Sequence, residues 1–269
     1  MKPESLFAEN LDDSVLSDRP RTSTAVTDAT LIVVPTFNER ENLPTLLDQL
    51  FGAAPEAHAL VVDDASPDGT AELCREIMGD RPGLHLLERS GPRALGRAYV
   101  AGLQYGLEHG YTFVGTMDAD LSHAPRYLAD LHQSLVDGAD VAIGSRYVRD
   151  GGTLNWGLRR MVLSRAANRF SALLLNIPAH DVTSGYRLYR SSLLRRVDLR
   201  GIRSTGYSFL VELLYRAHQA GARISEAPII FHDRRMGRSK LRSREIYFGA
   251  LRLLGLRLTG DGRSDAPEP

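Results

Sequence analysis

The sequence predicts an α/β domain built on a mostly parallel sheet with helices on both faces. Three observations predict it. Short apolar, β-branched runs recur between residues 31 and 144, as strands buried on both faces do. Segments with apolar residues at helical spacing separate them, the alternation of a doubly covered sheet. Three of the runs end in polar clusters, at the strand ends where open parallel sheets bind ligands.

Along the chain, residues 1–28 are polar and without periodicity, and read as a disordered tail. Leu31-Ile32-Val33-Val34 is the first strand, with Pro35 as its expected end. Asn42 to Leu50 is helical through Leu43, Leu46, Leu47 and Leu50. Ala59 to Val62 is the second strand, and a Ser66-Pro67-Asp68-Gly69 turn opens a helix over Thr70 to Met78, with Asp68 as its cap. Leu84 to Leu87 is the third strand. Gly96 to His109 is a helix whose glycines at 96, 102 and 106 permit close packing. Thr112 to Met117, Pro125 to Asp137 and Val141 to Gly144 continue the alternation as strand, helix and strand. Beyond this the pattern is less regular. Helices are expected at Asn155 to Leu175, Ser191 to Val197 and Tyr207 to Ala220, and short strands at Leu188–Tyr189 and Ile229 to Phe231. A last amphipathic helix is expected over 243–258, between a catalytic domain at 29–242 and a tail at 259–269.

Bases and acids balance at 33 each, yet residues 1–140 carry 10 bases and 23 acids, a net of −13, and the remainder a net of +13. The zero sum excludes a uniformly basic nucleic-acid binder, so no nucleic-acid partner is expected. The division predicts that one half holds a cation and the other meets anions. A single cysteine, Cys74, excludes a disulfide framework and fits a reducing, cytoplasmic setting. The N-terminus has no signal-peptide apolar core, and no apolar run reaches the ~18–20 residues of a membrane span. Only two of the bases are lysines, Lys2 and Lys240.

The polar strand ends are Pro35-Thr36-Phe37-Asn38-Glu39, Asp63-Asp64 and Asp118-Ala119-Asp120. Asp118 and Asp120 lie two apart on extended chain, so both point to one side. Carboxylates that close repel unless a hard cation such as Mg²⁺ or Mn²⁺ sits between them; a solvated loop with two acids is the plain alternative. Asp63 and Asp64 suit the N–H groups of a base or the hydroxyls of a ribose, and Phe37 suits either a base or the core. Arginine dominates the second half. Arg146 follows a strand, Arg159, Arg160, Arg165 and Arg169 share a helix, Arg187 follows Thr183-Ser184-Gly185-Tyr186, and Arg234, Arg235, Arg238 and Lys240 surround Gly237 in a loop able to close over phosphates.

Together these motifs resemble the dolichol-phosphate/polyprenol-phosphate mannose synthases of glycosyltransferase family 2. The blocks are Val34 to Glu39, Val62 to Thr70, Met117 to His123, Ile143 to Tyr147, Asp181 to Arg187 and Gly237 to Leu241, in family order over about residues 30–258. The resemblance implies a single-domain GT-A fold and transfer of mannose from GDP-mannose to a polyprenyl monophosphate. It implies that Pro35, Phe37, Glu39, Val62, Asp64 and Ala119 hold the donor and that Asp118, Asp120 and Ser122 bind Mg²⁺ or Mn²⁺. It also implies that Arg146, Arg234 and Lys240 grip phosphates, with Arg159 or Arg160 helping at the acceptor. The chain departs from the family at Pro92, Arg93 and Ala94 in a basic glycine-rich loop, and at Thr205 and Leu210. Those departures bear on the sugar, nucleotide or lipid. Another sugar nucleotide such as a glucose donor, or a non-lipid acceptor, stays open, as do a non-catalytic nucleotide-sugar binder and a nucleotidyltransferase. A lipid acceptor implies peripheral attachment to the cytoplasmic face of a membrane, through the C-terminal helix or a membrane partner protein.

Overall fold

A computed structural model describes residues 26–27, 29–202, 204, 206–233 and 253–258. Its strands are β1 (Thr30–Thr36), β2 (His58–Asp63), β3 (Leu84–Glu88), β4 (Phe113–Thr116), β5 (Val141–Ser145), β6 (Gly152–Leu154), β7 (Arg187–Arg190), β8 (Ile224–Pro228) and β9 (Ile230–His232). Seven form one sheet in the order β3-β2-β1-β4-β7-β5-β8, and β6 pairs with β9 apart from it. Every pairing is parallel except those of β7, which runs antiparallel between β4 and β5. The helices are α1 (Leu43–Ala53), α2 (Thr70–Met78), α3 (Leu95–Glu108), α4 (Leu128–Val136), α5 (Leu158–Leu175), α6 (Ser191–Leu194) and α7 (Tyr207–Gln219).

The expected mostly parallel, doubly covered sheet is present. Alternate residues of β1 and β2 enter opposite cores, as the strand period of two requires. Leu31, Val33, Leu60 and Val62 pack with Tyr99, Leu103, Phe209 and Leu213. Ile32, Val34, Ala59 and Val61 pack with Leu43, Leu46, Leu131 and Leu135 on the other face. Cys74 is buried in that second core, where loss of solvent pushes its thiol up to about 12 and makes it a packing residue. The α3 glycines are required. A Cβ at Gly102 would lie 2.2 Å from Val33 Cγ1, and one at Gly106 2.6 Å from Val114 Cγ2.

Pro35 does not end β1, which continues to Thr36 with Pro35 paired to Val62. The reason is local. Val33 C=O accepts from Met117 N–H, so the next inward position on that side, Pro35, faces β4 just past its last paired residue, Thr116. The proline thus sits at the end of that ladder, where a missing N–H costs least. Two strands escaped the sequence reading: β6, within the stretch leading to the expected Asn155 helix, and β8, whose Ile224–Pro228 lacks a sustained apolar pattern. The expected helix from Pro125 opens as a 3₁₀ turn, Pro125–Tyr127, before α4. Of the expected C-terminal helix, residues 253–258 are helical, with Leu253 and Leu256 buried in the first core; residues 243–252 lie outside the described residues.

Candidate active site

Because β2, β1 and β4 are neighbours, the three polar strand ends lie side by side at one edge of the sheet. Their carboxylates do different things. Asp63 is 1% exposed and accepts from Thr36 Oγ1 (2.8 Å), Ser66 N–H (2.8 Å) and Ser66 Oγ (2.6 Å). It clamps β1 to β2 and has no face turned to a ligand. Asp64 pairs with Arg89 and accepts from Ala94 N–H at 3.1 Å, so it holds the 89–94 loop in place. Asp68 accepts from Thr70 Oγ1 (2.6 Å), Arg40 N–H (3.2 Å) and Thr70 N–H (3.0 Å) at the start of α2. Burial would raise its pKa, but these hydrogen bonds outweigh that and hold it below the usual carboxylate value. Within the loop held by Asp64, Arg93 lies over the Phe37 ring, 4.1 Å from its centroid. Glu39 is half-buried beside Asn42, whose side-chain amide donates to it at 2.8 Å. Pro35, Val62 and Ala119 are buried, Val62 wholly within the core.

Asp118 and Asp120 follow β4. The Asp118 side chain is 29% exposed, and its Oδ1 accepts from the Tyr99 hydroxyl at 2.6 Å. Tyr99 is fully buried in α3, and burial and the Asp118 charge push its pKa well up, so it is a neutral donor. The Asp118 N–H donates to His123 Nδ1 at 3.2 Å. Burial lowers the pKa of His123 despite the nearby carboxylates, so it is a neutral imidazole with its proton on Nε2. It stacks on Tyr186 and meets Phe231 edge-on. Asp120 Oδ1 accepts from both the N–H and the hydroxyl of Ser122, which is fully buried. Ser122, expected as a further metal ligand, is thus buried with its hydroxyl turned to Asp120, which it orients. Gly185 completes the wall: a Cβ there would lie 3.2 Å from Asp118 Oδ1 and 3.3 Å from Tyr99 Oη. These residues fit a divalent cation. Asp118 is partly open, and the groups that support it among the described residues, Tyr99 and His123, are neutral. Among the described residues no third His, Cys, Asp or Glu completes a cage. The set therefore suits a hard ion that takes its other ligands from phosphate oxygens and water.

The basic half is organised around Arg146, at the end of β5. It is 7% exposed and makes a two-pronged pair with Asp181, Nε to Oδ2 and Nη2 to Oδ1 both at 2.7 Å, with Nη2 also donating to Thr183 Oγ1. Its guanidinium lies between the rings of Tyr147, Trp156 and Phe231, 5.2–5.6 Å from their centroids. Burial would raise Asp181, but Arg146, and then Arg187, hold its carboxyl below the usual range. Arg187 is fully buried and donates to the carbonyls of Leu210 and Val182, both at 2.6 Å. A cavity of about 180 Å³ beside Arg146 is lined by Tyr147, Leu154, Met161, Arg165 and Ile230 among others. Arg160 stacks on Trp156 at 4.0 Å and pairs with Asp233, while Arg159 is exposed. Arg234 and Lys240 lie outside the described residues.

Three supports were missed by sequence reasoning. Tyr99 is one, read only as part of a helix. His123, the last residue of the Met117 to His123 block, is another. Glu226 on β8 accepts from His180 and Asp181 N–H at 2.8 and 2.9 Å and so sets the loop that carries Asp181. The spacing of Asp118 and Ser122 to His123 was the available signal for the second; the other two depend on contacts far apart in sequence.

A family model described as Glycosyl transferase family 2 matches residues 31–198. The chain is 46% identical over 216 residues to a protein of Mycolicibacterium smegmatis named "Polyprenol monophosphomannose synthase", covering 80% of this chain and 82% of the relative. It is 44% identical over 211 residues to one of Micrococcus luteus named "Undecaprenyl-phosphate mannosyltransferase", covering 78% and 86%. Among solved structures, a glucosyl-3-phosphoglycerate synthase of Mycobacterium tuberculosis, in complex with Mn²⁺, uridine diphosphate and glucosyl-3-phosphoglycerate, superposes with a TM-score of 0.61 at 17% identity, over 88% of this chain and 81% of that one. That likeness speaks to the GT-A fold alone. The matched span contains the three strand ends, the Asp118/Asp120 pair and the Arg146–Asp181 network, and this chain belongs to glycosyl transferase family 2.

Proposed function

We propose that this protein transfers mannose from GDP-mannose to a polyprenyl monophosphate, with inversion, giving a β-linked polyprenyl phosphate mannose. The observation that carries the reading is the identity of 44–46% with relatives named for polyprenol- and undecaprenyl-phosphate mannosyl transfer. The geometry is compatible with it: a carboxylate pair suited to a divalent ion stands at the strand ends, and an arginine-lined cavity stands beside Arg146.

In this reading Phe37, Glu39 and the loop held by Asp64 receive the nucleoside, above the buried Pro35, Val62 and Ala119. Asp118 and Asp120, oriented by Tyr99 and Ser122, would hold Mg²⁺ or Mn²⁺. Bound there, such an ion would supply neutralisation of the charge on a leaving nucleoside diphosphate. Arg234 and Lys240 add cationic contacts to the phosphates. Arg146, Arg159 and Arg160 draw in the acceptor phosphate. A phosphomonoester has its second pKa near ~6 and is already an anion at neutral pH, so no general base is required. Catalysis is then positioning plus charge neutralisation. The enzyme works attached peripherally to the cytoplasmic face of a membrane, alone or with a membrane partner protein.

A panel of radiolabelled GDP-mannose, UDP-glucose and GDP-glucose, each with and without polyprenyl phosphate and with chelator, tests this. The expected result is chelator-sensitive transfer from GDP-mannose into the lipid fraction, with a β linkage by NMR. Transfer from another donor only, an α linkage, or release of pyrophosphate overturns it.

A further inference from the structure

Helix α5 is inside-out. Its buried residues are Asn168, Ser171 and Leu175, and Asn168 is tied to the 181–184 loop by reciprocal hydrogen bonds with Thr183. Ser164 receives the Tyr147 hydroxyl at 2.7 Å on the same inner side. At 3.6 residues per turn, Leu158, Val162, Leu163, Phe170 and Leu173 fall on the side roughly opposite. They are 49–70% exposed, and they account for five of the nine large hydrophobics exposed among the described residues. Scattered exposed leucines are ordinary, but a contiguous apolar stripe marks an interaction surface.

The charge on this helix selects the occupant. α5 carries Arg159, Arg160, Arg165 and Arg169 and no acidic residue. A two-fold contact between copies would set arginine against arginine. An anionic lipid surface instead offers phosphates to the guanidinium groups and hydrocarbon to the leucines, and long arginine stems reach from one to the other. Among the described residues no helix is long and apolar enough to cross a membrane. Leu254 and Leu258 add exposed apolar surface, while Leu253 and Leu256 anchor their turn in the core.

We propose that the outward face of α5 docks flat on an anionic lipid bilayer. The cavity lined by Met161 and Arg165 of α5 flanks the inner side of the same helix, away from the docked face, so an acceptor lipid would reach Arg146 past the edge of the helix; this last consequence rests on the lipid-acceptor reading above.

The test is flotation of the full chain with vesicles of phosphatidylcholine and phosphatidylglycerol at 3:1. The unaltered protein and a Val162→Glu/Phe170→Glu/Leu173→Glu variant are compared, with melting temperature and light scattering alongside. The expected result is flotation of the unaltered protein, a loss of about tenfold or more in the variant at an unchanged melting temperature, and weaker flotation on pure phosphatidylcholine or in high salt. Flotation of the variant equal to that of the unaltered protein overturns the proposal. So does a dimer that the variant converts to monomer without change in flotation, which would make the face a contact between copies. Mannosyl transfer to a short, water-soluble prenyl phosphate separates the two readings. Transfer retained with flotation insensitive to the variant sinks the docking face alone. No transfer to any prenyl phosphate, with flotation lost in the variant, sinks the reaction alone.

Discussion

The acidic half of the chain, its front, and the basic half, its back, both carry more charge than they offer to a ligand, and they hide it differently. In front, Asp63, Asp64 and Asp68 are engaged by backbone amides, hydroxyls and Arg89, and hold loops in place. Asp118 is partly open and propped by neutral groups. In the back, Arg146 and Arg187 are buried and tied to Asp181 and to carbonyls, while the arginines of α5 are mostly exposed. A motif charge is thus a functional candidate only after its partners are counted. The comparison also separates two kinds of support: mostly hydroxyl and backbone N–H donors in front, a buried two-pronged ion pair behind.

The strongest way to break this division is to exchange one carboxylate of each kind. Asp120→Ala is expected to lower turnover by about 10²–10³-fold or more with the fold kept. Asp63→Ala is expected to lower the melting temperature, because Thr36 and Ser66 lose their acceptor. If both variants lose activity and stability in equal proportion, the division is wrong.

In the back, Asp181→Asn leaves Arg146 buried without its counter-charge and should cost about 3–5 kcal/mol in denaturant unfolding. An acid titration sharpens this. The folded carboxyl of Asp181, faced by Arg146 and Arg187, lies below its unfolded value. Its contribution is therefore complete above about pH 3.9 and is lost as pH falls through the depressed folded value. The melting temperature of Asp181→Asn should fall less steeply over that acid window than that of the unaltered protein; parallel curves would show that Asp181 is not the group responsible.

Smaller effects test the edges of the site. Gly185→Ala places a methyl 3.2–3.3 Å from Asp118 Oδ1 and Tyr99 Oη, so those atoms must give by a few tenths of an ångström. The expected outcome is about a tenfold fall in kcat with KM for the donor little changed, since a small misplacement at reacting groups is costly. Arg93→Ala uncovers the Phe37 ring and should change donor KM by less than about tenfold, of the order of one cation–π contact.

The front was more legible than the back for a physical reason. β1 and β2 advertise themselves by four-residue apolar runs and β4 by a shorter one, and their polar ends follow directly in sequence, so strand and site are legible together. The three α3 glycines were legible too, because close packing leaves few other residues possible. In the back, α5 defeats amphipathic logic: Asn168 and Ser171 face inward and Phe170 and Leu173 outward. β8 escaped because Ile224–Pro228 has little apolar character of its own. The Tyr99–Asp118 and Glu226–Asp181 contacts join segments 19 and 45 residues apart, and no local pattern encodes them.

The antiparallel β7 has a consequence for how the chain is made. β4 and β5 follow one another in sequence but never pair; residues 187–190 must be inserted between them. As the chain leaves the ribosome, β3-β2-β1-β4 can close through short crossovers, whereas β5 waits for a strand synthesised some 40 residues later. Until then β4 and β5 each present an unpaired edge, the surface on which strands of other chains add. The same late segment brings Gly185 and its carbonyl, which receives Thr116 Oγ1 at 2.7 Å, against the Asp118 loop. The acidic half can thus assemble first, while the wall that Gly185 supplies beside Asp118 depends on the later insertion of β7.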